Sequence, residues 1–171
     1  MILRTVGHGN RSAEQLIGLL KDTGVSYVVD IRSIPHSSRF PHFSSVALKN
    51  SLREAGIDYI YFGDLLGGKP LPHEGVDSEW RQGHLDARLV ASLRRTPRWR
   101  EGIEKLAALI RNRADMYEEG CLLCSEIDPA KCHRSFVALE LATELPGLEV
   151  SHLISQDSHP RREVGVQEPL M

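Results

Sequence analysis

Short apolar runs alternate with longer amphipathic stretches along most of the chain, the pattern of β-α units wound around a largely parallel sheet. Residues 2–7 (ILRTVG) predict a first strand. Ser12 and Gln15 then have the S-x-x-Q spacing of a capping box, and Leu16, Leu19 and Leu20 follow at helical intervals until Gly24 stops the helix. Residues 26–31 (SYVVDI) form a β-branched run suited to a strand buried on both faces. Beyond the polar loop RSIPHSSRFPHF, Ser44 or Ser45 caps a helix carrying Val46, Leu48 and Leu52, which Gly56 ends. Residues 58–62 (DYIYF) predict a third strand. Glycines and prolines crowd residues 63–78, which therefore read as a loop, and a helix is predicted from about Asp77 to Arg94. Thr96-Pro97 is a cap followed by proline at the first helical position, opening a helix to about Ala114 through Ile103, Leu106, Ala107 and Ile110. Residues 121–124 (CLLC) predict strand four, Ser135 to Leu145 a helix, and residues 149–154 (EVSHLI) strand five.

The expected architecture is a three-layer α/β domain over residues 1–155. Its mostly parallel five-stranded sheet is of the Rossmann or flavodoxin type, with helices on both faces and the strand order 3-2-1-4-5. Residues 67–95 form a loop and helical insertion suited to a lid carrying His73, Glu74, His84 and Asp86. Residues 156–171 are a polar tail.

Composition narrows the function classes. A chain of 171 residues suits one domain, and 41% hydrophobic residues with a formal charge of -2 exclude an extensively disordered chain. The near-neutral balance of 21 Lys+Arg against 23 Asp+Glu argues against a bulk basic surface for nucleic acid but leaves room for a local basic patch. No apolar run approaches the ~20 residues that span a bilayer. The first residues, Met1-Ile2-Leu3-Arg4, lack the layout of a signal peptide. Three cysteines do not make a disulfide framework, so a reducing cytoplasm is the expected compartment.

Candidate chemistry sits where strands end. In open α/β sheets ligands bind beyond the carboxyl ends of the strands, and here those ends read GHGNR (Gly7–Arg11), DIRSIP (Asp30–Pro35) and CSEIDPAKCHR (Cys124–Arg134). GHGNR offers two glycines for close backbone approach together with His8, Asn10 and Arg11, or is simply a tight strand-to-helix turn. Asp30 either accepts a proton or forms a structural pair with Arg32. From Ile31 to Arg53 the formal charges are Arg32, Arg39, Lys49 and Arg53, with no carboxylate, which suggests a positive field toward an anionic partner or a plain solvated face. Phe40 and Phe43 stack on a ring or anchor their loop.

The third loop carries the strongest signal. Cys132 lies at a predicted helix start beside His133 and Arg134, a setting that favours thiolate. Glu126 is a candidate acid or base, and Arg134 a candidate bidentate clamp for an anion. Cys124 ends an apolar strand, whereas strand alternation turns Cys121 toward the core. The competing view is that these thiols only fill space. Trp80 and Trp99 are expected to seat their helices. His152 points into the site or into the core.

The segments T-V-G-H-G-N-R, V-D-I-R-S-I-P-H-S, T-P-R-W and L-C-S-E-I-D-P-A-K-C-H-R resemble the hallmark blocks of the family catalogued as domain of unknown function 488, over about residues 4 to 154. The resemblance implies an α/β three-layer fold and leaves the activity unassigned. Most members similar to this chain read G-H-S-N, so Gly9 removes a hydroxyl from the first block.

The expectation drawn from these residues is an enzyme acting on a phosphorylated, nucleotide or nucleic-acid-related substrate. Cys132, Glu126, His133, Asp30 and Cys124 would be its catalytic residues, and His8, Asn10, Arg11, Arg32, Arg39 and Arg134 would bind substrate. No cofactor is expected. A metal held by His8, Cys124, Cys132 and His133 is less favoured, because C-x7-C-H does not match a four-ligand structural zinc knuckle. A non-catalytic module that binds a nucleotide or nucleic acid, and a redox pair formed by Cys124 and Cys132, compete with the enzyme.

Overall fold

The computed structural model describes residues 1–76 and 87–154, and the backbone of residues 161–162. Its elements in chain order are β1 (Ile2–Gly7), α1 (Ala13–Asp22), β2 (Val25–Asp30), α2 (Ser45–Glu54), β3 (Asp58–Tyr61), α3 (Gly63–Leu66), α4 (Ala87–Leu93), α5 (Pro97–Ala114), β4 (Glu119–Cys124), α6 (Arg134–Glu144), β5 (Glu149–Leu153) and β6 (Arg161–Arg162). Local chemistry sets most boundaries. The Ser12 hydroxyl accepts from Gln15 N at 3.2 Å while Gln15 Oε1 accepts from Ser12 N at 2.9 Å, so the capping box opens α1 as its spacing implies. Thr96 Oγ1 accepts from Trp99 N and Pro97 holds the first position of α5.

Strands β1 to β5 form a parallel sheet with helices on both faces, as expected for an α/β fold. The strand order corrects the expected 3-2-1-4-5. It is β3-β2-β4-β1-β5, with β4 inserted between β1 and β2 and the two-residue β6 antiparallel on β5. The physical reason is that β1, β2 and β4 are all largely buried and all suit a central place. Single-strand hydrophobicity separates central strands from edges but cannot rank the central ones.

Two cores flank the sheet. One packs Val6, Val28, Cys121 and Leu123 of the strands against Leu16 and Leu20 of α1 and Leu48 and Leu52 of α2. The other packs Leu3, Tyr27, Val29 and Leu122 against α3 to α6, including Trp99, Leu106 and Leu141. The helices that follow β1 and β2 thus cover one face, and those that follow β3 and β4 cover the other. The loops leaving β2 and β4 part to opposite faces at the carboxyl rim, the arrangement that opens a crevice there.

Two local expectations change. Residues 63–78 are not wholly loop, because α3 forms at Gly63–Leu66 and buries Leu66. The predicted helix from Asp77 is described from Ala87 onward, while Trp80, His84 and Asp86 lie outside the described residues. Trp99 is fully buried and its Nε1 donates to Glu140 Oε2 at 3.0 Å, seating α5 on α6. Among the described residues no helix is long and apolar enough to cross a membrane.

Candidate functional site

The insertion of β4 keeps the tips of β2, β4 and β1 contiguous, so the three polar loops meet at one rim. Backbone bonds lock two of them together: His8 N and Gly9 N donate to the Cys124 and Ser125 carbonyls, each at 2.9 Å. This contact is so close that a Cβ on Gly7 would fall 1.8 Å from the Glu126 carbonyl oxygen. Only glycine fits there.

Three of the expected residues converge. Ligand atoms of Cys124, Cys132 and His133 all lie within 4.8 Å of one another, and Cys124 Sγ stands 3.8 Å from His133 Nδ1. Both cysteines are buried and unpaired by disulfide. Cys124 arrives on the end of β4. Cys132 and His133 arrive at the start of α6, after a 3₁₀ turn at Pro129–Lys131 that Asp128 caps through Ala130 N. His133 Nε2 lies 3.1 Å from the Ile31 carbonyl. A carbonyl only accepts, so Nε2 carries the proton, and in the neutral ring Nδ1 offers its lone pair to the two sulfurs.

The two thiols titrate apart. Cys132 is held well below the ordinary thiol range, first by a hydrogen bond from Cys124, then by the His133 ring when both its nitrogens carry protons, and by Arg134, against the opposing effect of burial. Cys124 is pushed well up by that same bond and by burial. Cys121 is fully buried in the sheet and pushed up to about 12 by burial, which fits its reading as a core residue.

The arginines behave differently from anion clamps. Arg134 is fully buried; its Nε donates to Thr5 Oγ1 at 3.2 Å, Nη2 to the Ile127 carbonyl at 2.7 Å and Nη1 to the Glu126 carbonyl. Among the described residues it makes no ion pair, so a buried cation is left to favour negative charge on the neighbouring thiols. Arg11 donates to the Gly7 and Ile154 carbonyls and ties the tips of β1 and β5. Arg32 is bidentate on Asp30, with Nε 2.9 Å from Oδ1 and Nη2 2.6 Å from Oδ2, and its Nη1 donates to the Phe43 carbonyl at 2.8 Å. Tyr59 and Arg32 N complete the shell of Asp30. The structural pair is therefore the form that Asp30 and Arg32 take. The physical reason is common to all these groups: charge taken out of water is retained where hydrogen bonds satisfy it, supplied chiefly by main-chain carbonyls for Arg11 and Arg134 and by their own ion pair, together with Tyr59, for Arg32 and Asp30.

Other expected residues lie at the rim without joining the cluster. His8 is buried, hydrogen-bonded through Nδ1 to the Gly9 carbonyl at 2.9 Å and stacked on Phe43 at 4.4 Å, with its pKa lowered to about 4, chiefly by burial. It stands outside the metal-sized group. Glu126 Oε1 accepts from Asp128 N at 3.3 Å and so caps its own loop. Asn10 is exposed, as is Arg39, which lies over the Phe40 ring at 5.4 Å. His152 is buried against Thr5, its Nδ1 2.7 Å from the hydroxyl. Glu74 is bound to Arg98, and Leu71 N donates to it at 2.7 Å.

Sequence reasoning missed Thr5, Ser33 and Arg98, which hold this rim together. Their partners lie far along the chain, the side chains of His152 and Arg134 for Thr5 and backbone groups of residues 65–69 for Ser33 and Arg98, and only the glycine pair Gly67-Gly68 hinted at a close approach.

No curated protein and no solved structure matches the chain. A family match covers residues 12–141, which include the Asp30 and Cys124–Arg134 blocks but not the Gly7–Arg11 loop. On that match, which spans most of its length, the chain belongs to the family described as "Domain of unknown function DUF488".

Proposed function

We propose that the chain is a metal-dependent enzyme of the hydrolytic class, in which Cys124, Cys132 and His133 hold one zinc-like cation and the substrate is a phosphorylated, nucleotide-like anion. The observation that carries this reading is the convergence of two sulfurs and one imidazole nitrogen within 4.8 Å. With metal–sulfur bonds of about 2.3 Å and metal–nitrogen bonds of about 2.0 Å, a tetrahedral centre has sulfur–nitrogen edges of about 3.5 Å. The measured 3.8 Å from Cys124 Sγ to His133 Nδ1 fits that edge with little adjustment. The Nε2–H bond to the Ile31 carbonyl is the outer contact that fixes a ligating histidine in one tautomer.

Three protein ligands leave a fourth position for water, the composition of a catalytic rather than a structural zinc site. This is why the arrangement favours a metal where the C-x7-C-H spacing did not. A cation there lowers the pKa of bound water toward about 7 and supplies hydroxide at neutral pH. Held by Cys124, Cys132 and His133, such a cation would supply Lewis-acid activation of water for the hydrolysis of a phosphate ester. Exposed Arg39, on the loop leaving β2, and Lys49, in the first half of α2, supply the attraction for an anionic substrate. Reduced thiols at the site suit the cytoplasm.

The test is elemental analysis of protein purified without a histidine tag, paired with hydrolysis of p-nitrophenyl phosphate and nucleoside phosphates before and after chelation. Stoichiometric zinc that is lost in Cys132→Ser, together with chelator-sensitive turnover, supports the reading. Metal-free protein overturns it.

The second reading is thiol chemistry, favoured by the hydrogen bond between Cys124 and Cys132 beside the buried cation of Arg134. It predicts metal-free protein in which iodoacetamide modifies Cys132 rapidly at neutral pH.

A further inference from the structure

The loop after α3 has no part in the chemistry above, yet it is fastened with unusual care. Arg98, on α5, spreads its guanidinium over three carbonyls: Nη1 donates to Leu65 at 3.0 Å and Gly67 at 3.2 Å, and Nη2 to Lys69 at 3.0 Å. Its charge is balanced by Glu74, which also accepts from Leu71 N. From the opposite side, Ser33 Oγ at the tip of β2 accepts from Lys69 N at 2.8 Å. The segment 65–71 is thus pinned from two walls.

What this fastening achieves is placement of Gly68. A Cβ built there would lie 3.0 Å from His133 Nδ1 and 3.2 Å from its Cγ. Gly68 is not among the glycines with positive φ, so its backbone does not require glycine. The neighbouring imidazole crowds a Cβ there and would have to give by a few tenths of an ångström. The nitrogen approached most closely is the one whose lone pair faces Cys124, since Nε2 is occupied by Ile31.

We propose that residues 67–69, latched by Arg98 and Glu74, form the roof of the Cys124–Cys132–His133 site, and that the missing side chain of Gly68 keeps His133 Nδ1 in position to bind a thiophilic tetrahedral cation. Gly68 is the steric determinant and Arg98 a positioning residue. This inference rests on the metal reading of the same site and adds two residues to it.

The experiment uses the purified full chain and its Gly68→Ala and Arg98→Lys variants. Zinc affinity is read by competition with a chromophoric chelator, and cobalt substitution by the thiolate-to-cobalt charge-transfer band. Gly68→Ala is expected to weaken zinc binding about 10- to 100-fold, the size seen when an outer contact of a ligand is disturbed. It should also shift the cobalt spectrum, while circular dichroism stays native. Arg98→Lys keeps the charge for Glu74 but cannot reach three carbonyls, and is expected to release zinc several-fold faster with native stoichiometry. Wild-type zinc affinity in folded Gly68→Ala, or wild-type release from Arg98→Lys, overturns the roof and leaves the metal reading standing. A wild-type chain that binds neither zinc nor cobalt overturns both.

Discussion

Replacing Asp30 by Asn separates a structural carboxylate from a catalytic one. Asp30 is fully buried and receives four hydrogen bonds: Arg32 N at 3.1 Å, Arg32 Nε at 2.9 Å, Arg32 Nη2 at 2.6 Å and Tyr59 OH at 2.7 Å. Asn keeps the shape but removes the charge, leaving a guanidinium that is 3% exposed without its counter-ion. Breaking a buried pair in this way costs about 3–5 kcal/mol. For a domain of this size that lowers Tm by about 10 °C. Tyr59→Phe removes one bond to the carboxylate and costs about 1.5–3 kcal/mol, less than Asp30→Asn. The double variant Asp30→Asn/Arg32→Met should recover part of the single loss, because no unpaired charge remains. Urea denaturation and thermal melts of the four proteins read these values. If Asp30→Asn melted with the wild type yet abolished p-nitrophenyl phosphate turnover, the carboxylate would be working as an acid or base and the structural account would be lost.

Four further outcomes are expected. His8 takes up a proton at about 4 when folded against 6.5 when unfolded, so the unfolded chain binds the proton first as pH falls. Stability is therefore complete above pH 6.5 and declines toward pH 4 by about 3 kcal/mol in all, a slope that His8→Phe should flatten in urea titrations across that range. Arg134→Met should raise the reactivity threshold of Cys132 toward iodoacetamide in chelated protein to higher pH, since it removes the buried cation that favours thiolate; an unchanged pH profile would deny that coupling. Arg39→Ala combined with Lys49→Ala should raise KM for an anionic substrate severalfold at low salt and have little effect in concentrated salt, whereas a salt-independent change would point to direct contact. Trp99→Ala, which empties a fully buried site and leaves Glu140 without its indole donor, should cost about 3–5 kcal/mol in urea denaturation and leave zinc content unchanged in the folded fraction.

Much of this molecule is written in local order along the chain. The capping box at Ser12, the Thr96-Pro97 helix start, the buried runs of β1, β2 and β4, and the polar blocks at their ends all depend on spacings of a few residues, and each formed close to its expected place. The cluster of Cys124, Cys132 and His133 was legible for the same reason, because one strand end and the next helix start lie close together in the chain. Partnership over long separations was not legible. Arg134 meets Thr5 across 129 positions and Arg11 meets Ile154 across 143, so nothing nearby distinguishes these residues from arginines that clamp an anion. The same holds for β4, whose apolar run fits any central position until its neighbours close both ladders around it. Hydrophobic periodicity reports how a segment meets its own surroundings, whereas strand order, charge pairing and the fit of Gly68 against His133 arise when distant segments compete for the same space.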